Sequence, residues 1–139
     1  MGVGFSQALQ TGLFDLLSGD LELSTMAAIY DAPPVLSAAD AEADYVTLGE
    51  EAVKPLGPAE DGLIAHDVDI VIHSPAHGFG RVKGIGARID TLLTGATAAV
   101  AAARIVDIRF LRAKADRGVG VDRRRMRLTY RVVLEPAAT

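Results

Sequence analysis

The feature that most constrains the fold lies near the end of the chain, at residues 125–134, where apolar and polar side chains alternate. The apolar members of this run are Met126, Leu128, Tyr130, Val132 and Leu134. A period of two places successive side chains on opposite faces of a strand, so the segment predicts one buried face and one face rich in arginine. Because an antiparallel sheet tolerates a solvated face, this strand favours a sheet that is covered on one side only.

Four other segments predict strands, because they are rich in β-branched residues or alternate in the same way. They are a short strand within residues 25–34, which is closed by two prolines, and the segments 44–51, 63–73 and 103–113. Residues 52–62 and 113–122 have the glycine, proline and charged content of hairpin connections. The sequence therefore predicts a sheet in which most neighbouring strands are antiparallel.

Alternation also predicts which side chains of two inner strands point inward. In residues 63–73, the inward set is Val68, Ile70 and Ile72, and the outward set is Asp67, Asp69 and His73. In residues 103–113, the expected inward set is Val106, Ile108 and Phe110, with Asp107 and Arg109 on the other side. The other face of the sheet should therefore be polar and carry arginines, which solvent alone can explain.

Two amphipathic helices are predicted, over residues 4–18 and 79–94, and each has leucine or isoleucine at helical spacing and a glycine just beyond its end. Together with the strands, they favour an α+β fold in which two helices pack on one face of a largely antiparallel, mixed sheet. A chain of 139 residues with 50% apolar content can bury one core, so we expect a single domain over residues 1–139.

The charge of the chain is unevenly distributed along the sequence. Residues 1–69 hold 13 acids and 1 basic residue, a balance of −12, whereas residues 70–139 hold 5 acids and 13 basic residues, a balance of +8. Separate acidic and basic faces could bind a polyanion or a second copy of the chain. The alternative is that folding places the two halves side by side, so that their charges neutralise within one monomer.

The glycine-rich stretch at residues 69–95 fits no phosphate-binding loop. Lys83 precedes Gly84, whereas a Walker lysine follows a glycine, and Lys83 also occupies the sixth position of a dinucleotide fingerprint, where a small residue is needed. The histidines His73 and His77 have no cysteine or second pair to complete a zinc site. We therefore expect no cofactor, no metal and no catalytic residue, and, since no long apolar run is present, no membrane span.

The order of motifs resembles that of a known family. The motifs are IYDAPP after the first helix, DYVTLGEE at residues 44–51, HDVDIVIHSP, a glycine-interrupted helix, and ARIVDIRFLRA before the closing strand. Over residues 5–134 this pattern is similar to the tail completion, or tail terminator, proteins of long-tailed phages and of phage-like gene transfer agents. Its most specific parts are Ile29, Tyr30, Asp31, Pro33 and residues 45–49. Many relatives carry tryptophan where this chain has His73.

The resemblance implies a structural protein without catalysis. Members of the family form a ring, typically a hexamer, that caps the finished tail tube, stops its polymerisation and joins it to the head connector. The implied partners are further copies of the chain, the tail tube protein, the head-tail connector proteins and, transiently and without sequence specificity, the DNA in the lumen. Assembly would take place in the bacterial cytoplasm, before the protein becomes part of the particle. A head-tail adaptor and a small nucleic-acid-binding module remain as alternatives.

A head-to-tail ring needs two different, complementary patches on each subunit. The arginines that precede and begin the last strand could meet the acids of residues 44–51 on the next subunit, or could contact DNA phosphates. The residues of this hypothetical interface are Glu50, Glu51, Arg123, Arg124, Arg125 and Arg127.

Overall fold

Five strands form one mixed sheet in the computed structural model, which describes residues 3–31, 43–75, 78–94, 103–117 and 123–136. The strands are β1 (Ala28–Tyr30), β2 (Tyr45–Pro55), β3 (Ile64–Ser74), β4 (Ala103–Arg117) and β5 (Arg124–Pro136). Their order across the sheet is β1-β2-β3-β5-β4. The pair β1 and β2 is parallel, and the other neighbouring pairs are antiparallel. This arrangement confirms the predicted α+β fold with a largely antiparallel, mixed sheet.

Three α-helices cover one face of the sheet. They are α1 (Ser6–Ser18), α2 (Leu21–Met26) and α3 (Gly80–Leu93). Their buried residues join the inward residues of the strands in one apolar cluster, to which β3 contributes Val68, Ile70 and Ile72 as predicted. Helix α3 lies close to the sheet at Gly86, where a Cβ atom would come within 3.1 Å of the Met126 sulfur. A small residue at this position therefore permits the close approach of helix and sheet.

Helix α2 was not predicted from the sequence. It begins after Asp20, whose side chain caps it by accepting a hydrogen bond from the Leu23 amide at 2.8 Å. Arg88 of α3 donates two hydrogen bonds to the same carboxylate, at 2.9 and 2.7 Å. These bonds hold the pKa of Asp20 below its ordinary value. Asp20 therefore both starts α2 and ties it to α3.

Two connections differ from the sequence prediction. Strand β2 continues to Pro55, four residues past its predicted end, and a short 3-10 helix follows at Ala59–Asp61. The turn back to β3 contains Gly57 and Gly62 with φ of 78° and 69°, which side chains other than glycine rarely adopt. Strand β4 likewise continues to Arg117, and residues 118–122 of the second predicted loop lie outside the described part of the chain.

The predicted alternation in β4 was wrong at Val106. The pairing of β4 with β5 shifts register between Ile105 and Asp107, and again between Phe110 and Arg112. Each shift inserts one extra residue, so Val106 falls in a bulge and is 45% exposed. Ile105 packs against the core instead. Ile108 and Phe110 lie opposite the inward residues Val132 and Tyr130, on the predicted side of the sheet. Phe110 is nevertheless 50% exposed, because β4 is the edge strand.

Candidate functional site on the polar sheet face

The face of the sheet opposite the helices carries pairs of unlike charges that join β3 to β5. Arg131 donates two hydrogen bonds to the Asp67 carboxylate, from Nε at 2.8 Å and from Nη2 at 3.0 Å. Arg127 and Thr129 both donate to Asp69, at 2.9 and 2.7 Å. Since each residue of a strand lies beside its partner on the next, the register places these side chains on one face.

Strand β4 adds a further acid to this face. Arg125 donates from Nε to Asp116 at 3.0 Å, and this bond holds the pKa of Asp116 below its ordinary value. The hydrogen bonds from Arg131 lower the pKa of Asp67 in the same way. The carboxylates of Asp67 and Asp116 therefore stay ionised at neutral pH, and Arg125, Arg127 and Arg131 already have partners within the chain.

These pairs bear on the uneven distribution of charge along the sequence. Asp67 and Asp69 of β3 belong to the acidic half and β5 belongs to the basic half, yet the two strands are neighbours in the sheet. Further pairs between the halves are formed by Arg88 with Asp20 and by Arg81 with Asp44. Across the described residues, many acidic and basic side chains therefore pair within one monomer. This is the second of the two alternatives that the sequence left open.

An aromatic and cationic stack lies at the end of the polar face where β2, β3 and the start of β5 meet. The rings of Tyr45 and His73 are stacked with their centroids 4.5 Å apart and their planes 13° from parallel. The guanidinium of Arg123 lies 5.5 Å from the centroid of the Tyr45 ring. Burial, followed by the nearby cations Arg123, Arg125 and Arg127, lowers the pKa of His73 from 6.5 to about 4. His73 is therefore neutral at physiological pH.

The six residues of the hypothetical interface do not form one cluster. Glu50 lines an open groove on the polar face together with Arg125 and Arg127. Glu51 instead points to the helix side, where its carboxylate lies 2.5 Å from Nδ1 of His66 and accepts a hydrogen bond from Ser6 at 3.2 Å. A register shift between Leu48 and Glu51 and the strand alternation send these neighbouring acids to opposite faces.

The neighbouring arginines Arg123 and Arg124 are also separated by the strand alternation. Arg123 lies over Tyr45 on the polar face, whereas Arg124 is 7% exposed and its guanidinium lies 5.4 Å from the centroid of the Phe79 ring. The carboxylates that pair with the arginines belong to Asp67, Asp69 and Asp116, which were not predicted as site residues. The alternation in residues 63–73 predicted that Asp67 and Asp69 point outward. It did not predict the strand order that brings them beside β5.

We expect replacement of Asp69 by alanine to lower the free energy of unfolding by about 1 kcal/mol, because it leaves the buried hydroxyl of Thr129 without its acceptor. Asparagine at the same position keeps an acceptor oxygen but no charge, and should cost less. Urea denaturation of both variants measures the difference. Equal losses would show that the Thr129 hydrogen bond contributes nothing.

No group of three or more histidine and acidic side chains is placed to hold a metal ion within residues 3–31, 43–75, 78–94, 103–117 and 123–136. His77 lies outside these ranges. In the same part of the chain, no helix combines the length and the apolar character needed to cross a membrane.

Comparison with known proteins agrees with the resemblance seen in the motifs. The family model described as tail completion protein gp17 matches residues 11–135. A chain in the structure titled "Virion of native gene transfer agent (GTA) particle" is 33% identical and superposes with a TM-score of 0.84, covering 95% of this chain and 98% of that chain. No curated protein gives a significant match. Since the family model spans most of its length, the chain belongs to the tail completion protein gp17 family.

Proposed function

We propose that this protein is a structural component of a phage-type tail, acting as a ring-forming terminator. It caps the finished tail tube, stops its polymerisation and joins it to the head connector, with DNA passing through the ring. The observation that carries the proposal is the 33% identity over 98% of a chain found in a gene transfer agent virion. Similarity over 95% of this chain and 98% of that chain supports a similar place in a particle.

The polar face supports the part of the proposal that concerns DNA. Arg125, Arg127 and Arg131 are each held by a carboxylate of the same chain, so they offer little net positive charge to phosphates. Affinity for DNA depends strongly on the number of phosphates that free cations neutralise. The centre of this face, between β3 and β5, would therefore contact passing DNA weakly and without sequence specificity, which disfavours the alternative of a dedicated nucleic-acid-binding module.

A terminator of this kind has particular partners and a particular location in the particle. The subunit contacts further copies of itself, most simply five of them in a hexamer, as well as the tail tube protein and the head-tail connector proteins. It is made in the bacterial cytoplasm and ends at the head-tail junction of a phage or gene transfer agent particle. This role is structural and requires no cofactor.

The experiment that tests the proposal is light scattering of the purified protein, alone and with tail tubes, combined with electron microscopy of the tubes. We expect a hexamer-sized species, or a monomer that assembles into a ring at one end of each tube. Tubes should also stop elongating when the protein is added during polymerisation.

Other outcomes identify the alternatives. Binding to connectors but not to tubes would indicate a head-tail adaptor. Tight DNA binding that weakens steeply with salt would indicate a nucleic-acid-binding module. A protein that stays monomeric and leaves both tubes and connectors bare would overturn the proposed function.

A further inference from the structure

We propose that the two edges of the sheet are the complementary surfaces through which copies of this chain join. The outer edge of β4 in one subunit pairs with the part of β2 in the next subunit that extends beyond β1. The inference rests on the proposed ring, and it names the elements that would close that ring. The partner at each edge is a second copy of the chain.

Strand β4 forms a long edge that nothing else in the described part of the chain covers. It spans 15 residues at the end of the strand order, with β5 as its neighbour on one side. Its Val106 and Phe110 side chains are 45% and 50% exposed. A long edge with exposed apolar side chains presents unpaired backbone groups that favour pairing with another strand.

The same strand carries basic residues that have no ion-pair partner among the described residues. Arg112 and Lys114 lie opposite Thr129 and Arg127, which places them on the polar face beside the arginines of β5. The carboxylates near them are already bound by arginines of β5. The β4 edge is therefore positively charged even though the centre of the face is neutralised.

The opposite edge of the sheet has a matching free segment. Strand β1 pairs with β2 only at residues 45–47, whereas β2 continues to Pro55. From Glu50 onward, β2 has β3 on one side and no described strand on the other. The exposed carboxylates of Glu50 and Asp31 lie at this edge, and neither forms an ion pair within the described residues. The exposed Lys54 also lies on this segment, but the acids Asp31, Glu50 and Glu51 outnumber it, so the edge is net negative.

Strand direction makes the two edges compatible. Each of the steps from β2 to β3, from β3 to β5 and from β5 to β4 is antiparallel, so β4 runs opposite to β2. Rotation about an axis along the strands preserves their directions. A β4 edge would then meet the next subunit's β2 as an antiparallel neighbour, and repeated contacts of this head-to-tail kind close into a ring.

The test uses two charge-reversed variants of the full chain at exposed positions, where folding should be unaffected. One carries Arg112→Glu and Lys114→Glu at the β4 edge, and the other carries Asp31→Lys and Glu50→Lys at the β2 edge. Lys83→Glu on the exposed surface of α3 is the control for a charge reversal away from both edges. Light scattering at low and high salt measures the mass of each protein alone and of the two edge variants mixed together.

We expect the wild type and the Lys83→Glu variant to form rings, and each edge variant alone to lose the ring species at least tenfold. The mixture should form rings again, because reversed edges attract each other and unreversed edges do the same. Rings that form equally in both edge variants, or a mixture that stays monomeric, would overturn the inference and leave the terminator proposal intact. A β4 variant that forms rings but no longer caps tubes would also overturn it, by assigning this edge to the tube. A wild type that never forms rings, with or without tubes, would overturn both.

Discussion

Replacing Glu51 by alanine is expected to lower the free energy of unfolding by about 1–3 kcal/mol, although the residue lies on a strand near the surface. The cause is His66, whose side chain is 0% exposed and whose Nδ1 lies 2.5 Å from the Glu51 carboxylate. Without that acceptor, the Nδ1–H group of a buried ring loses its partner and cannot reach water. Chemical denaturation followed by circular dichroism measures the loss.

Glu50 provides the matched control because it is the same residue type, one position away, on the opposite face. It is exposed and forms no ion pair among the described residues. Its replacement by alanine should change the free energy of unfolding by no more than about 0.5 kcal/mol. If the two variants lost equal free energy of unfolding, the contact of Glu51 with His66 would not contribute to the stability of the fold.

The different positions of Glu50 and Glu51 also affect the interpretation of assembly experiments. Both glutamates were expected at a subunit interface, but a Glu51 variant that fails to form rings could fail because its core is weakened. Glu50 reports on assembly without that complication, since it lies on the groove side of β2. The two residues can be told apart only once the strand alternation is known.

Local patterns were enough to predict the strands and, for β3 and β5, their buried faces. In β5, Leu128, Tyr130, Val132 and Leu134 are all at most 3% exposed, as the alternation required. A period of two is a property of the strand itself, so one covered face is sufficient to make it visible in the sequence. The helical periods of α1 and α3 were readable for the same reason.

Features that depend on a neighbour were not predictable from one segment. The bulge at Val106 is set by how β4 pairs with β5, and the start of α2 at Asp20 is reinforced by Arg88 from a distant helix. The distribution of charge along the sequence did not show whether acidic and basic residues pair within one subunit or between subunits. Only the position of β3 beside β5 determines that Asp67 meets Arg131 within one subunit.

Replacing His73 by phenylalanine is expected to make the protein less sensitive to acid between pH 6.5 and 4. The pKa of His73 is lowered from 6.5 to about 4 by burial and by Arg123, Arg125 and Arg127, while Tyr45 stacks on the ring and the Thr47 hydroxyl lies 3.4 Å from Nε2. In this pH window the unfolded chain binds a proton at His73 that the folded chain does not. Stability of the wild type therefore falls as the pH falls.

Phenylalanine keeps the aromatic stack on Tyr45 but removes the titrating group, so the stability gap between variant and wild type should grow as the pH is lowered. We expect a gain for the variant of about 1–2 kcal/mol between pH 6.5 and 4, since solvent near the partly exposed ring reduces the full effect. Urea denaturation across this range measures it. Parallel curves for the two proteins, or an NMR titration that places the His73 pKa near 6.5, would contradict the assignment. The paired acids Asp67 and Asp116, whose pKa values are lowered in the folded chain, also lose stabilisation as the pH falls below about 5. They are present in both proteins, so their contribution cancels in the difference between variant and wild type.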